Sequence, residues 1–232
     1  MVAAWAAMAA PPVKITSEVA TPVDLTAEVV ALSSSIEQAV ETPESFDEQR
    51  ESLKRKALQI AILAQALAEH EMDSPLKKSA PGLRNAALAL ARTTTVEEAR
   101  QTKARLNEAL EGKLSGTPAV EAEWGKLTRA GSLMPVLKER SDAIRRALRR
   151  PKDPELESRN AMTIAVLILA VHGDTGSAKN AADKSAWQEI SLELQGHMSR
   201  AAAAIKARDS STADHFRLGM EACDKCHLKF KP

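Results

Sequence analysis

Two stretches of this chain, 104 positions apart, carry nearly the same residues. Arg55-Lys56-Ala57-Leu58-Gln59-Ile60-Ala61-Ile62-Leu63-Ala64-Gln65-Ala66 reads against Arg159-Asn160-Ala161-Met162-Thr163-Ile164-Ala165-Val166-Leu167-Ile168-Leu169-Ala170, with identity at the arginine, three alanines, Ile60/Ile164 and Leu63/Leu167. A repeat of this length restricts the fold to two copies of one unit, because each copy must bury the same apolar positions. A later anchor, Ala91-Arg92 against Ala207-Arg208, is offset by 116, so the second unit holds about twelve extra residues around its second loop and third helix.

Each unit reads as four helices joined by short loops, an all-α bundle. Alanine and leucine abound, glycine numbers only 9, and three tryptophans and three phenylalanines are the only aromatic residues, which leaves little strand propensity. In the first unit the pattern predicts a helix capped by Asp24 and ended near Glu41 by Thr42-Pro43, a second over 46–70 capped by Ser45, a third over 75–92 and a fourth over 96–111, stopped by Gly112 and Gly116. In the second unit it predicts helices over 134–149, 154–172, 184–207 and 211–230. The expected organisation is a lead-in over 1–22, a four-helix bundle over 23–116, a connector with a short helix over 117–132, and a second four-helix bundle over 133–232.

The chemistry concentrates at the end of the last helix, in Cys223-Asp224-Lys225-Cys226-His227. C-x-x-C-H is the c-type haem attachment pattern: two cysteines three apart on a helix reach one edge of a porphyrin, and the histidine beside them can point at the iron. Phe216, Met220, Cys223, His227 and Phe230 step by four, three, four and three, so the motif is set into an apolar helical stripe. Other readings compete with haem. A structural zinc site would need two more ligands from His70, His172, His197 or His215, none of which forms a tight pair in sequence. A thioredoxin-like dithiol expects its C-x-x-C at a helix start in a βαβ unit, and a plain disulfide is the remaining use of two cysteines. In the first unit the corresponding positions are Asn107, Leu110 and Glu111, so that unit has no attachment site and is expected to serve as a structural or partner-binding bundle.

In an up-down-up-down bundle the end of the fourth helix lies beside the start of the first, the end of the second and the start of the third. Those places hold Met134, His172 and Trp187. The second half, about residues 130–232, resembles the class II c-type cytochromes, both cytochrome c-prime and its low-spin relatives. Cys223-x-x-Cys226-His227-x-x-Phe230-Lys231 is the specific part of the likeness. The resemblance implies one covalent haem c with His227 as the proximal iron ligand. It further implies a monohaem protein for electron transfer or gas binding, without substrate turnover. Low-spin members place a methionine near the start of their first helix as sixth ligand, and Met134 stands there. Pro135 directly after it, and the added first bundle, depart from the family pattern. Trp187, His172, Phe230 and Met220 are the remaining expected haem contacts.

Net charge is +1, which gives the chain no general reason to seek nucleic acid. Residues 133–232 carry 17 Lys/Arg against 13 Asp/Glu, and Lys225, Lys229 and Lys231 would form a basic collar for an acidic redox partner. Arg145-Arg146 and Arg149-Arg150 close a helix where basic residues suit its dipole, and read as a solvated face. The longest apolar run, 161–171, is about half of what a transmembrane helix needs. The start, uncharged until Lys14, resembles the end of a secretory signal closing on Ala7-Met8-Ala9, or else is an alanine-rich tail. Haem is ordinarily attached to C-x-x-C-H outside the cytoplasm, so the expected location is periplasmic or otherwise exported.

Overall fold

The computed structural model describes residues 13–114 and 122–230. The signal-like start, Gly116, the first part of the expected connector and Lys231 lie outside the described residues. The protein is all-α. Its described helices are α1 (Pro22–Ser34), α2 (Pro43–Glu69), α3 (Ala80–Leu90), α4 (Val96–Leu110), α5 (Trp124–Leu127), α6 (Ala130–Arg149), α7 (Pro154–Gly173), α8 (Ala181–Ala207) and α9 (Thr212–Phe230). Successive helices pack on one another from α1 to α4 and again from α6 to α9.

The repeated segments become the two most enclosed helices. Residues 57–67 of α2 and 161–171 of α7 are unbroken buried runs of eleven, separated by the same 104 positions as the sequence repeat. A helix that is apolar all round needs cover on every side. Each of these two is covered by its own neighbours and by the other, since α2 and α7 also touch. One continuous apolar core, from Ile15 to Ala222, therefore runs through both halves.

Several helix ends differ from the sequence expectation, each for a local reason. Thr21, not Asp24, caps α1: its Oγ1 accepts the Asp24 N–H at 3.1 Å, while its own O–H donates to the Asp24 carboxylate at 2.7 Å. That helix stops at Ser34, and a 3-10 turn over Gln38–Val40 follows, with the Val40 carbonyl accepting from Arg100 Nε at 2.8 Å. Thr42, not Ser45, caps α2; Ser45 is the third helical residue and completes a reciprocal capping box, both bonds at 3.1 Å. Pro43 thus opens α2 instead of closing α1, a place where its missing N–H costs nothing. Helix α3 starts at Ala80 and not at 75, because a start at 75 would put Pro81 in a helix interior, against the carbonyl of Lys77. Helix α6 starts four residues early, at Ala130, whose N–H donates to the Asp174 carboxylate at 2.7 Å. Met134 is consequently one turn inside the helix, and Pro135 sits within it.

A polar lock joins the halves beside α2 and α7. Arg140 of α6 pairs with the buried Glu28 of α1 and donates to Gln59 Oε1 at 3.0 Å and Asn160 Oδ1 at 2.9 Å. The short α5 closes the joint at the opposite ends of α2 and α7: the Trp124 indole N–H donates to Glu69 Oε2 at 2.9 Å, and Gly125 lies so close to Gly173 that a Cβ on Gly125 would run into the Gly173 carbonyl oxygen. Removing Arg140 alone leaves Glu28 charged and buried. Arg140→Ala is expected to lower unfolding free energy in urea by about 3–5 kcal/mol, with much of that loss recovered in Glu28→Gln/Arg140→Met.

Candidate functional site at the end of α9

Helix α9 turns a narrow face to the core. Phe216, Gly219 and Ala222 are buried on it, with Met220, Cys223, Cys226 and Phe230 half-buried at its edge. Gly219 allows the close approach to α8, since a Cβ there would meet Met198 Cε at 2.3 Å. His227 is exposed in the last turn.

Arg145 of α6 reaches α9, its guanidinium over the Phe216 ring at 5.9 Å from the centroid. Three short turns, each reversing the chain, make α6 and α9 antiparallel. Eleven residues towards the same end, about 16 Å at the α-helical rise, α6 brings Met134 and α9 brings His227. Met134 and His227 therefore lie towards the same end of α6 and α9. Among the described residues, α6 packs chiefly on α7 and α9 on α8. Met134, Met220 and Cys223 are each half-buried against the core.

Trp187 closes the end of the bundle beneath the motif. It is buried, its indole N–H donates to the Val171 carbonyl at 2.7 Å, and its ring meets Phe230 edge-on, centroids 5.2 Å apart at 74°. It thus ties α7, α8 and α9 together and walls the site. His172 belongs elsewhere: it lines a separate cavity of about 440 Å³ with Gly125, Arg129 and Gln188, without any residue of α9. Burial holds its pKa below the usual imidazole value.

Both cysteines are free thiols. Burial, then the neighbouring Cys226 and Asp224, pushes the Cys223 thiol up to about 11, with Arg145 opposing; burial also raises Cys226. A redox dithiol works as thiolate, and burial works against that form. Among the described residues no group of three or more His, Cys, Asp or Glu is placed to hold a metal ion. His70 is already engaged, its ring 2.9 Å from both the Ala20 carbonyl and the Met72 N–H. His197 and His215, unremarkable in sequence, come together with ring centroids 6.2 Å apart.

The residues of the motif fit a covalently held haem: two thiols on one helix edge and an imidazole four residues after the first, with the Met134 thioether towards the same end of α6. The expected lysine collar is largely neutralised. Lys225 pairs with Glu193 at 2.7 Å and Lys229 with Asp183 at 3.6 Å, because α8 turns those carboxylates towards α9. Sequence reading missed Arg145, whose spacing of eleven from Met134 was the available signal, and Ile190, half-buried against the same core.

Protein made without attached haem should show the raised thiol in its pH dependence. The folded Cys223 keeps its proton to about pH 11, whereas an unfolded thiol loses it near about 8.5. Above that lower value the unfolded state binds fewer protons, so stability falls as pH rises. The urea midpoint is expected to drop more between pH 8 and pH 10.5 for the wild type than for Cys223→Ser; parallel curves would contradict the burial of this thiol.

Searches of this chain against family models, curated proteins and solved structures found no match.

Proposed function

We propose that this chain is an exported monohaem c-type cytochrome: two tandem four-helix bundles, the second carrying a covalent haem at Cys223 and Cys226, that moves single electrons without turning over a substrate. The observation that carries this reading is the C-x-x-C-H motif on the last turns of α9, with both thiols half-buried at the helix edge and His227 one turn after Cys223. When bound, haem supplies an iron that changes charge by one electron. The rest falls to the chain. The Cys223 and Cys226 thiols would each hold the haem through a thioether, the S–H adding across a vinyl group. His227 would be one iron ligand and the Met134 thioether a second, a pairing that raises potential. Trp187 and Phe230 exclude water from below. With Lys225 and Lys229 already paired, the rim offers a redox partner a nearly neutral surface, and Leu228, 88% exposed beside His227, gives it an apolar contact. Export follows from where such attachment ordinarily takes place. The first bundle, without ligands at Asn107, Leu110 and Glu111, is a structural or partner-binding companion.

Expression in a host with haem-maturation machinery tests the reading. The purified chain is expected to carry a covalent mass increase and a Soret band that survives acid–acetone extraction, both lost in Cys223→Ser/Cys226→Ser. An unmodified mass would overturn it and return the motif to a non-haem structural role.

The sixth ligand separates an electron carrier from a gas-binding protein. Met134→Ala should convert a low-spin spectrum to high-spin, lower the potential and open the iron to carbon monoxide, while Met162→Ala, whose side chain is buried deep in α7, should change none of these. Wild-type protein already high-spin and reactive with carbon monoxide would point to the c-prime type of function.

A further inference from the structure

The far end of the second set of helices has a different character. Residues 145–152, Arg-Arg-Ala-Leu-Arg-Arg-Pro-Lys, hold five basic residues and no acidic one, and span the α6–α7 turn. Arg145 is taken up by Asp142, at 2.9 Å. Arg146, Arg149, Arg150 and Lys152 are exposed, and among the described residues none of them has an ion-pair partner. The nearby acids serve the backbone: Asp153 accepts the Glu155 and Leu156 N–H groups, Glu157 accepts the Lys152 and Asp153 N–H groups, and Asp209 accepts that of Ser211.

Among these charges stand two large apolar side chains, Leu148 and Leu156, 36% and 47% exposed. Beside them opens a cavity of about 520 Å³, its apolar wall made by Ile144, Leu148, Pro151, Pro154, Ile205 and Ala213 and its charged lining by Lys152 and Arg208 together with Glu157 and Asp209, whose carboxylates are engaged by backbone N–H groups. That volume lies within the range of about 300–1,000 Å³ typical of sites for small apolar ligands. A polyphosphate would use the arginines but has no use for exposed leucines or an apolar cavity. A bilayer with anionic headgroups uses all three.

We propose that this end of the protein docks on an anionic lipid surface, with Arg146, Arg149, Arg150 and Lys152 on the headgroup phosphates, Leu148 and Leu156 in the interface, and the cavity receiving part of an acyl chain. The proposal does not depend on the haem reading. It also places the α9 motif away from the surface, because Arg149 lies fifteen residues along α6 from Met134, about 22 Å.

Co-sedimentation of the full chain with vesicles tests it. The protein is expected to partition onto vesicles of mixed phosphatidylglycerol and phosphatidylcholine, to ignore pure phosphatidylcholine, and to be released as salt shortens the screening length. Arg149→Glu/Arg150→Glu should reduce partition by about tenfold or more. Leu148→Asp/Leu156→Asp, which leaves the four basic residues in place, should also reduce it. Equal binding to both vesicle types, no binding to either, or full binding by the arginine variant would overturn the proposal. Binding to a duplex oligonucleotide with no binding to vesicles would overturn it in favour of a nucleic-acid surface.

Discussion

The structure depends on two helices that cannot stand in water on any side. Residues 57–67 of α2 and 161–171 of α7 are buried throughout, and each eleven-residue run must be covered all round. Neighbours from within one unit cover part of each, and the other unit's central helix adds to that cover. The halves consequently share one core. The Cys223–His227 motif stands on α9, at an edge between core and solvent.

How α6 is held decides what that edge can do. Arg140 anchors one side of α6 to α1, α2 and α7, and Asp174 receives the N–H of its first residue. Both ties draw α6 towards the joint between the halves, while Gly219 lets α9 sink onto α8. The thiols stand half-buried at the edge of α9, and burial there raises the pKa of both.

The two ends of this second set of helices differ in charge because α8 distributes its partners unevenly. At the motif end, Asp183 and Glu193 neutralise lysines of α9. At the other end, the carboxylates nearest the α6–α7 turn are engaged as caps and turn acceptors, and the arginines face solvent. A solvated face and a docking face have the same sequence here; the exposed leucines and the adjoining cavity distinguish them.

Most of the helical framework was legible from residues alone. The limits of α2, α4, α7, α8 and α9 fall within about three residues of the positions that periodicity predicts, because apolar spacing and breaker residues act locally. The caps were less legible, since Thr21 and Asp24, or Thr42 and Ser45, are all able to cap and only the backbone's turn selects one. The Cys223-x-x-Cys226-His227 motif was likewise readable, being a matter of spacing along one helix. Sequence could not show that His172 faces α5, that Trp187 is tied to Val171, that Glu193 quenches Lys225 or that Arg140 locks the halves. Each of those depends on the rotation and register of one helix against another, which the whole core settles jointly and no local pattern encodes.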